Sequence, residues 1–98
     1  MRESTLEKYL VTEVKKRGGK CLKLVGYVGI PDRLILLPGG IVIFVELKTK
    51  KGKLSPLQVY WSKILIGLGF NYKLFNDLEK INELFHIVEK KINIPNKL

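Results

Sequence analysis

The chain has one cysteine, one histidine and few acids: 9 Asp and Glu stand against 18 Lys and Arg in 98 residues. A single thiol, Cys21, excludes an internal disulfide framework and a zinc site built on several thiolates; its expected place is that of a small buried apolar group. The lone histidine, His86, has no metal-ligand partner beside it and reads as structural or surface. No apolar run approaches the ~20 residues of a membrane span. Arg2, Glu3, Glu7 and Lys8 put charge where a signal peptide would start its apolar segment. These absences predict a cytoplasmic protein, neither secreted nor membrane-bound. The shortage of acid leaves a net charge of +9 and a pI near 9.8, beyond the magnitude of about 2–8 that suits the solubility of a small domain. The expected partner is nucleic acid.

What is present is enough for one small core, with 46% hydrophobic residues. A single domain is expected over residues 1–91, with a frayed tail over 92–98 around Pro95. Leu6, Leu10 and Val14 recur every four residues and predict a helix from Glu3 to Arg17, ended by Gly18-Gly19. Lys20–Val25 alternates basic and apolar residues as a short strand does. Gly26, Gly29 and Pro31 mark a loop. Arg33–Leu37 and Ile41–Leu47 read as a hairpin about Pro38-Gly39-Gly40, with Gly39-Gly40 as a two-residue turn signal. The second of these strands is apolar enough to be buried on both faces. Ser55-Pro56 opens a second helix, striped by Leu57, Trp61, Ile64, Leu65 and Leu68. Phe70–Phe75 is a fourth strand, and Asn76 with Glu79 predicts the cap of a third helix carrying Ile81, Leu84, Phe85 and Val88 inward. The order αβββαβα implies an α/β fold with a mixed central sheet flanked by helices.

Two acids interrupt this pattern. Asp32 stands where the loop enters the hairpin, and Glu46 lies near the end of the return strand, so the hairpin brings both to its open end. Lys48 is two residues beyond Glu46 and points to the same side. Two carboxylates and the Leu47 carbonyl can hold a hard divalent cation, and the adjacent lysine can polarise a water. The competing account is a cross-strand ion pair among Asp32, Arg33, Glu46 and Lys48, worth only ~0–1 kcal/mol if exposed. Glu46 weighs against it, because a charge set beside Phe44 and Val45 is costly to bury without a partner or a metal.

Gly29-Ile30-Pro31-Asp32-Arg33, Pro38-Gly39-Gly40, Phe44-Val45-Glu46-Leu47-Lys48, Gly52-Lys53-Leu54-Ser55-Pro56-Leu57-Gln58 and Gly67-Leu68-Gly69-Phe70 together resemble the VRR-NUC domain. That is a branch of the PD-(D/E)XK nucleases, with the restriction-endonuclease-like core and kinship to Holliday-junction resolvases. The likeness runs from about Glu3 to Phe75 and is to the stand-alone phage and bacterial form. It implies a Mg²⁺- or Mn²⁺-dependent DNA endonuclease acting on branched or junction DNA as a homodimer. Asp32 and Glu46 match its metal ligands and Lys48 its catalytic lysine. Gln58 matches a glutamine on the helix after the hairpin; Ser55-x-x-Gln58 is equally a capping box. A first-helix glutamate completes the implied site. Glu3 and Glu7 are both candidates, and Glu7 is preferred because its spacing to Gly18 is similar to that of the resolvase branch. Either is also an ordinary acid of a helix start.

Lys23, Arg33, Lys50, Lys51 and Lys53 are the candidate phosphate contacts, the last three as a cluster leading from the catalytic strand; a solvated loop is the plain alternative. Tyr60, Trp61 and Tyr72 could stack on bases, although the spacing of Trp61 suits a core position. Val59, Tyr60 and Ile66 do not share one helical face, which suits a second copy of the chain.

Overall fold

A computed structural model describes residues 1–92. Residues 93–98, where a frayed tail is expected, lie outside the described residues; Ile92, expected in that tail, is instead the last residue of a helix. Seven elements follow in the predicted order: α1 (Glu3–Lys16), β1 (Lys20–Lys23), β2 (Arg33–Leu37), β3 (Ile41–Leu47), α2 (Pro56–Gly67), β4 (Asn71–Phe75) and α3 (Leu78–Ile92).

The strands form one mixed sheet in the order β1-β2-β3-β4. β1 pairs antiparallel with β2 and β2 antiparallel with β3, and β4 pairs parallel with β3. A parallel pair needs a crossover connection, and α2 supplies it. The β2–β3 turn has three residues rather than two, because Leu37 already pairs with Ile41. Gly39 and Gly40 both take positive φ in it, 89° and 75°, where a side chain would be strained.

The two faces of the sheet differ. Ile35, Leu37, Ile43, Val45, Leu47 and Phe75 point to one face and form the core with Leu6, Leu10 and Val14 of α1 and Ile81, Leu84, Phe85 and Val88 of α3. α1 ends as expected: the Gly19 N–H donates to the Val14 carbonyl and the Gly18 N–H to that of Lys15. The opposite face carries Leu34, Phe44, Glu46 and Tyr72 and is covered only in part, by α2 packed on β4.

Three local expectations are corrected. β1 stops at Lys23 rather than Val25, because Gly26 at φ 112° turns the chain away. The α2 stripe is incomplete: Leu57 and Leu68 are exposed and only Ser62 and Leu65 are buried, since α2 lies over one side of the sheet and not across it. α3 is capped by Asp77, whose Oδ1 accepts from the Lys80 N–H at 2.9 Å, and not by Asn76. β4 pairs Phe75 with Leu47, so Asn76 is still leaving the strand when the helix begins.

Candidate active site

Arg33 pairs with Val45 in the hairpin, so the next residue on each strand places Asp32 opposite Glu46. Their side chains share the α2-side face with Lys48. Asp32 Oδ2 accepts from the Leu47 N–H at 2.9 Å. The Lys48 N–H goes the other way, to the Phe75 carbonyl of β4 at 3.0 Å. Within a strand the N–H and C=O of one residue face the same side, so the Leu47 carbonyl faces the Asp32 side.

Glu46 is 2% exposed. Its Oε2 accepts from Gln58 Nε2 at 3.3 Å. Burial first, then its contact with Asp32 and the charge there, push the Glu46 carboxyl up to about 8 against the pull of Lys48; Glu3 adds to the rise. Two acids held this close cannot both ionise cheaply.

Gln58 caps α2 and touches Glu46 with the same side chain. Its Oε1 accepts from the Ser55 N–H at 2.8 Å, and its own N–H donates to Ser55 Oγ at 3.2 Å, closing the capping box. The other end of the same amide reaches Glu46. The cap therefore fixes the rotamer that touches the site.

The first-helix glutamates separate. Glu7 Oε2 accepts from Arg33 Nε at 2.8 Å on the α1 side of the sheet, and Arg33 also donates to the Cys21 carbonyl. Glu7 and Arg33 thus occupy one another. Glu3 makes no such pair among the described residues, and its charge is felt at Glu46. Both border a pocket of about 260 Å³ together with Asp32, Leu47, Lys23 and Tyr27.

The basic residues also divide. Lys23 lines the Asp32 pocket, whereas Lys50 and Lys51 border a separate cavity of about 580 Å³ beside Asp77 and Glu79. Lys53 is exposed on the way to α2. Tyr72 does not offer its ring freely: it is half-buried and its hydroxyl is enclosed with no partner among the described residues. Burial, then the charges of Glu46 and Asp32, push that hydroxyl up to about 12. Cys21 packs against the core and burial raises its thiol as well, while His86 is exposed on α3.

Among the described residues no three Asp, Glu, His or Cys side chains converge closely enough to hold a metal ion. The set that does converge, Asp32, Glu46 and the Leu47 carbonyl, is all hard oxygen. It suits Mg²⁺, which takes one or two carboxylates and fills its remaining positions with water and phosphate. A buried carboxyl held near 8 beside a second acid is also a group that a cation would relieve.

No family model matches the chain. A solved structure described as "VRR_NUC domain" superimposes with a TM-score of 0.80 at 29% identity, covering 86% of this chain and 94% of that one. A phage protein named "Putative nuclease p44", from Acyrthosiphon pisum secondary endosymbiont phage 1, is 46% identical over 71 residues, 70% of this chain and 76% of its own length. The chain belongs to the VRR-NUC family. Its fold is the VRR-NUC fold, in the order αβββαβα, and membership supports a nuclease. Leu24 and Tyr27 also border the Asp32 pocket and had no signal in the sequence: Tyr27 stands among punctuating glycines and neither carries a motif. Glu3 was legible only as an alternative, because helical spacing does not say which acid an arginine will take.

Proposed function

We propose that the chain is a Mg²⁺- or Mn²⁺-dependent DNA endonuclease of the PD-(D/E)XK type, acting in the cytoplasm of a bacterial or phage-infected cell. The observation that carries this reading is the pairing of a buried Glu46 with Asp32 at the open end of a hairpin, next to Lys48, in a chain of net charge +9. A structural ion pair would not place two acids against one another.

Asp32, Glu46 and the Leu47 carbonyl are assigned as metal ligands. When bound, the ion supplies Lewis acidity toward the phosphate and lowers the pKa of water to make a nucleophile. Lys48 orients the attacking water and offsets charge on the phosphate as it builds in the transition state. Gln58 holds Glu46 in position from the α2 cap. Glu3 is the more available first-helix acid for completing the site, with Glu7 committed to Arg33. Lys23 lines the approach, Lys50, Lys51 and Lys53 extend phosphate contacts beyond it, and Arg33 is held by Glu7 on the α1 side. Water is the nucleophile, so no covalent enzyme intermediate is needed.

Branched DNA, such as a four-way junction or flap, is the proposed substrate, cut by a homodimer that presents two sites to two strands. The kinship with resolvases and the apolar groups exposed along α2 support this. Labelled four-way junction, flap and linear duplex, each incubated with Mg²⁺, Mn²⁺ or chelator, test it together. Cleavage of the branched substrates with metal and none with chelator is expected. Cleavage that survives chelation, or none on any DNA, removes the assignment.

A further inference from the structure

The segment between β1 and β2 has an unusual tip. Val25, Tyr27 and Val28 are 79%, 69% and 78% exposed, in a loop with no charged residue between Leu24 and Asp32. Large apolar groups clustered in the open mark a contact surface. The loop is not loose at its base. The Ile30 N–H closes a turn onto the Tyr27 carbonyl at 3.3 Å, and the Leu24 N–H donates to the Asp32 carbonyl at 3.0 Å. Gly29, at φ +88°, presses on the start of α2 so closely that a Cβ there would lie 2.6 Å from that of Leu57. Tyr27 leans on Trp61 of α2, ring centres 5.8 Å apart, and Trp61 in turn meets Tyr60 at 5.9 Å. The Tyr27 ring is therefore braced from behind and still open on its outer side.

This ring also lines the pocket that holds Asp32, together with Lys23. A phosphate drawn into this pocket by Lys23 would bring its neighbouring nucleotide to Tyr27. In an intact duplex the faces of the bases are covered by one another, so a braced aromatic has nothing to stack on. At a branch point or strand end one face is free. Base–aromatic stacking tolerates any sequence, and apolar side chains set between base steps hold DNA unstacked.

We propose that the Val25–Val28 tip, with Tyr27 as its contact residue, is a wedge that stacks on an unpaired or end-exposed nucleobase beside the scissile phosphate. The ligand class is DNA with interrupted base stacking. The inference rests on the DNA-nuclease reading and names the residue that would select among its substrates. A base is favoured over a second copy of the chain as the occupant because the ring borders the catalytic pocket itself, which must stay open to a polyanion.

The test uses metal-free protein, a three-way or flap DNA with 2-aminopurine at the branch point, and a linear duplex of equal length. Parent protein should change the 2-aminopurine fluorescence on binding. Tyr27→Ala should lower the branched-to-linear affinity ratio about 5- to 100-fold, from the usual cost of losing one stacked base, and abolish the fluorescence change. Tyr27→Trp, which keeps a ring, should retain both. A ratio unchanged in Tyr27→Ala overturns the wedge. So does a dimer that falls to monomer on the same substitution in sedimentation, since the tip would then be covered by a second copy. Parent protein that cleaves DNA with metal while the ratio stays constant sinks only the wedge; parent protein that cleaves no DNA sinks the nuclease reading itself.

Discussion

Glu46 ionises against burial, Asp32 and Glu3, and the charge of Lys48 only partly offsets them. Without metal the folded chain therefore keeps the Glu46 proton up to about 8, while the unfolded chain releases it near the ordinary 4.5. Stability falls wherever the folded state binds more protons than the unfolded one as pH rises. The contribution of Glu46 should thus be greatest below 4.5, decline up to about 8 and then level off. Melting temperatures across this range in chelator should show that decline in the parent and a flatter profile in Glu46→Gln, and Mg²⁺ should offset the decline in the parent alone. The same substitution, and Asp32→Asn, should abolish cleavage while far-UV circular dichroism stays native. Lys48→Ala is expected to lower kcat more than DNA affinity, because a lysine at the reacting phosphate acts mainly on the transition state; filter binding alongside single-turnover rates separates the two.

Two elements position these residues. α2 begins with a capping box whose glutamine also reaches the site. Ser55→Ala should cost about 1 kcal/mol of stability, as lost caps do, and also lower turnover by freeing Gln58. Urea denaturation and rates under identical conditions check both. A loss of stability with unaltered kcat would leave Gln58 as a cap only. The loop before β2 is held by Gly29, where both the positive φ and the contact with Leu57 oppose a side chain. Gly29→Ala should destabilise by at least about 1–2 kcal/mol and shift Asp32, three residues on. Its urea midpoint and residual activity measure the two effects.

At the scale of the molecule, charge and exposed apolar surface lead to separate expectations. Metal-free DNA affinity should fall with salt by about 0.9 in log K per log unit for each duplex phosphate neutralised. Replacing Lys50, Lys51 and Lys53 together should flatten that slope, and a flat response in the parent would count against DNA. Lys50 and Lys51 lie by Asp77 and Glu79 instead of the Asp32 pocket, so this triple change should affect affinity more than chemistry. Tyr60, Ile66, Leu68 and Phe70 leave a broad apolar strip along α2 and the approach to β4. A two-fold partner would cover such a strip by self-complementary contact. Sedimentation at micromolar concentration, with and without junction DNA, should give a dimer; a monomer in both would replace paired incision with single-site nicking.

The element order, the mixed sheet and the convergence of Asp32, Glu46 and Lys48 were legible in the chain alone, because periodicity, glycine and proline punctuation and hairpin geometry are local properties. Leu6, Leu10 and Val14 declared their helix by spacing, and a lone glutamate in an apolar strand declared its own cost. Other features arise between segments distant in sequence. Arg33 takes Glu7 and not Glu3; the Gln58 amide divides between Ser55 and Glu46; Tyr27 is braced by Trp61 at the mouth of the pocket. Helical spacing could rank the two glutamates only by analogy, since each is an acid near the same helix start. Which of several equivalent side chains meets a given partner depends on how helices lie across the sheet, and only the packed tertiary structure decides that.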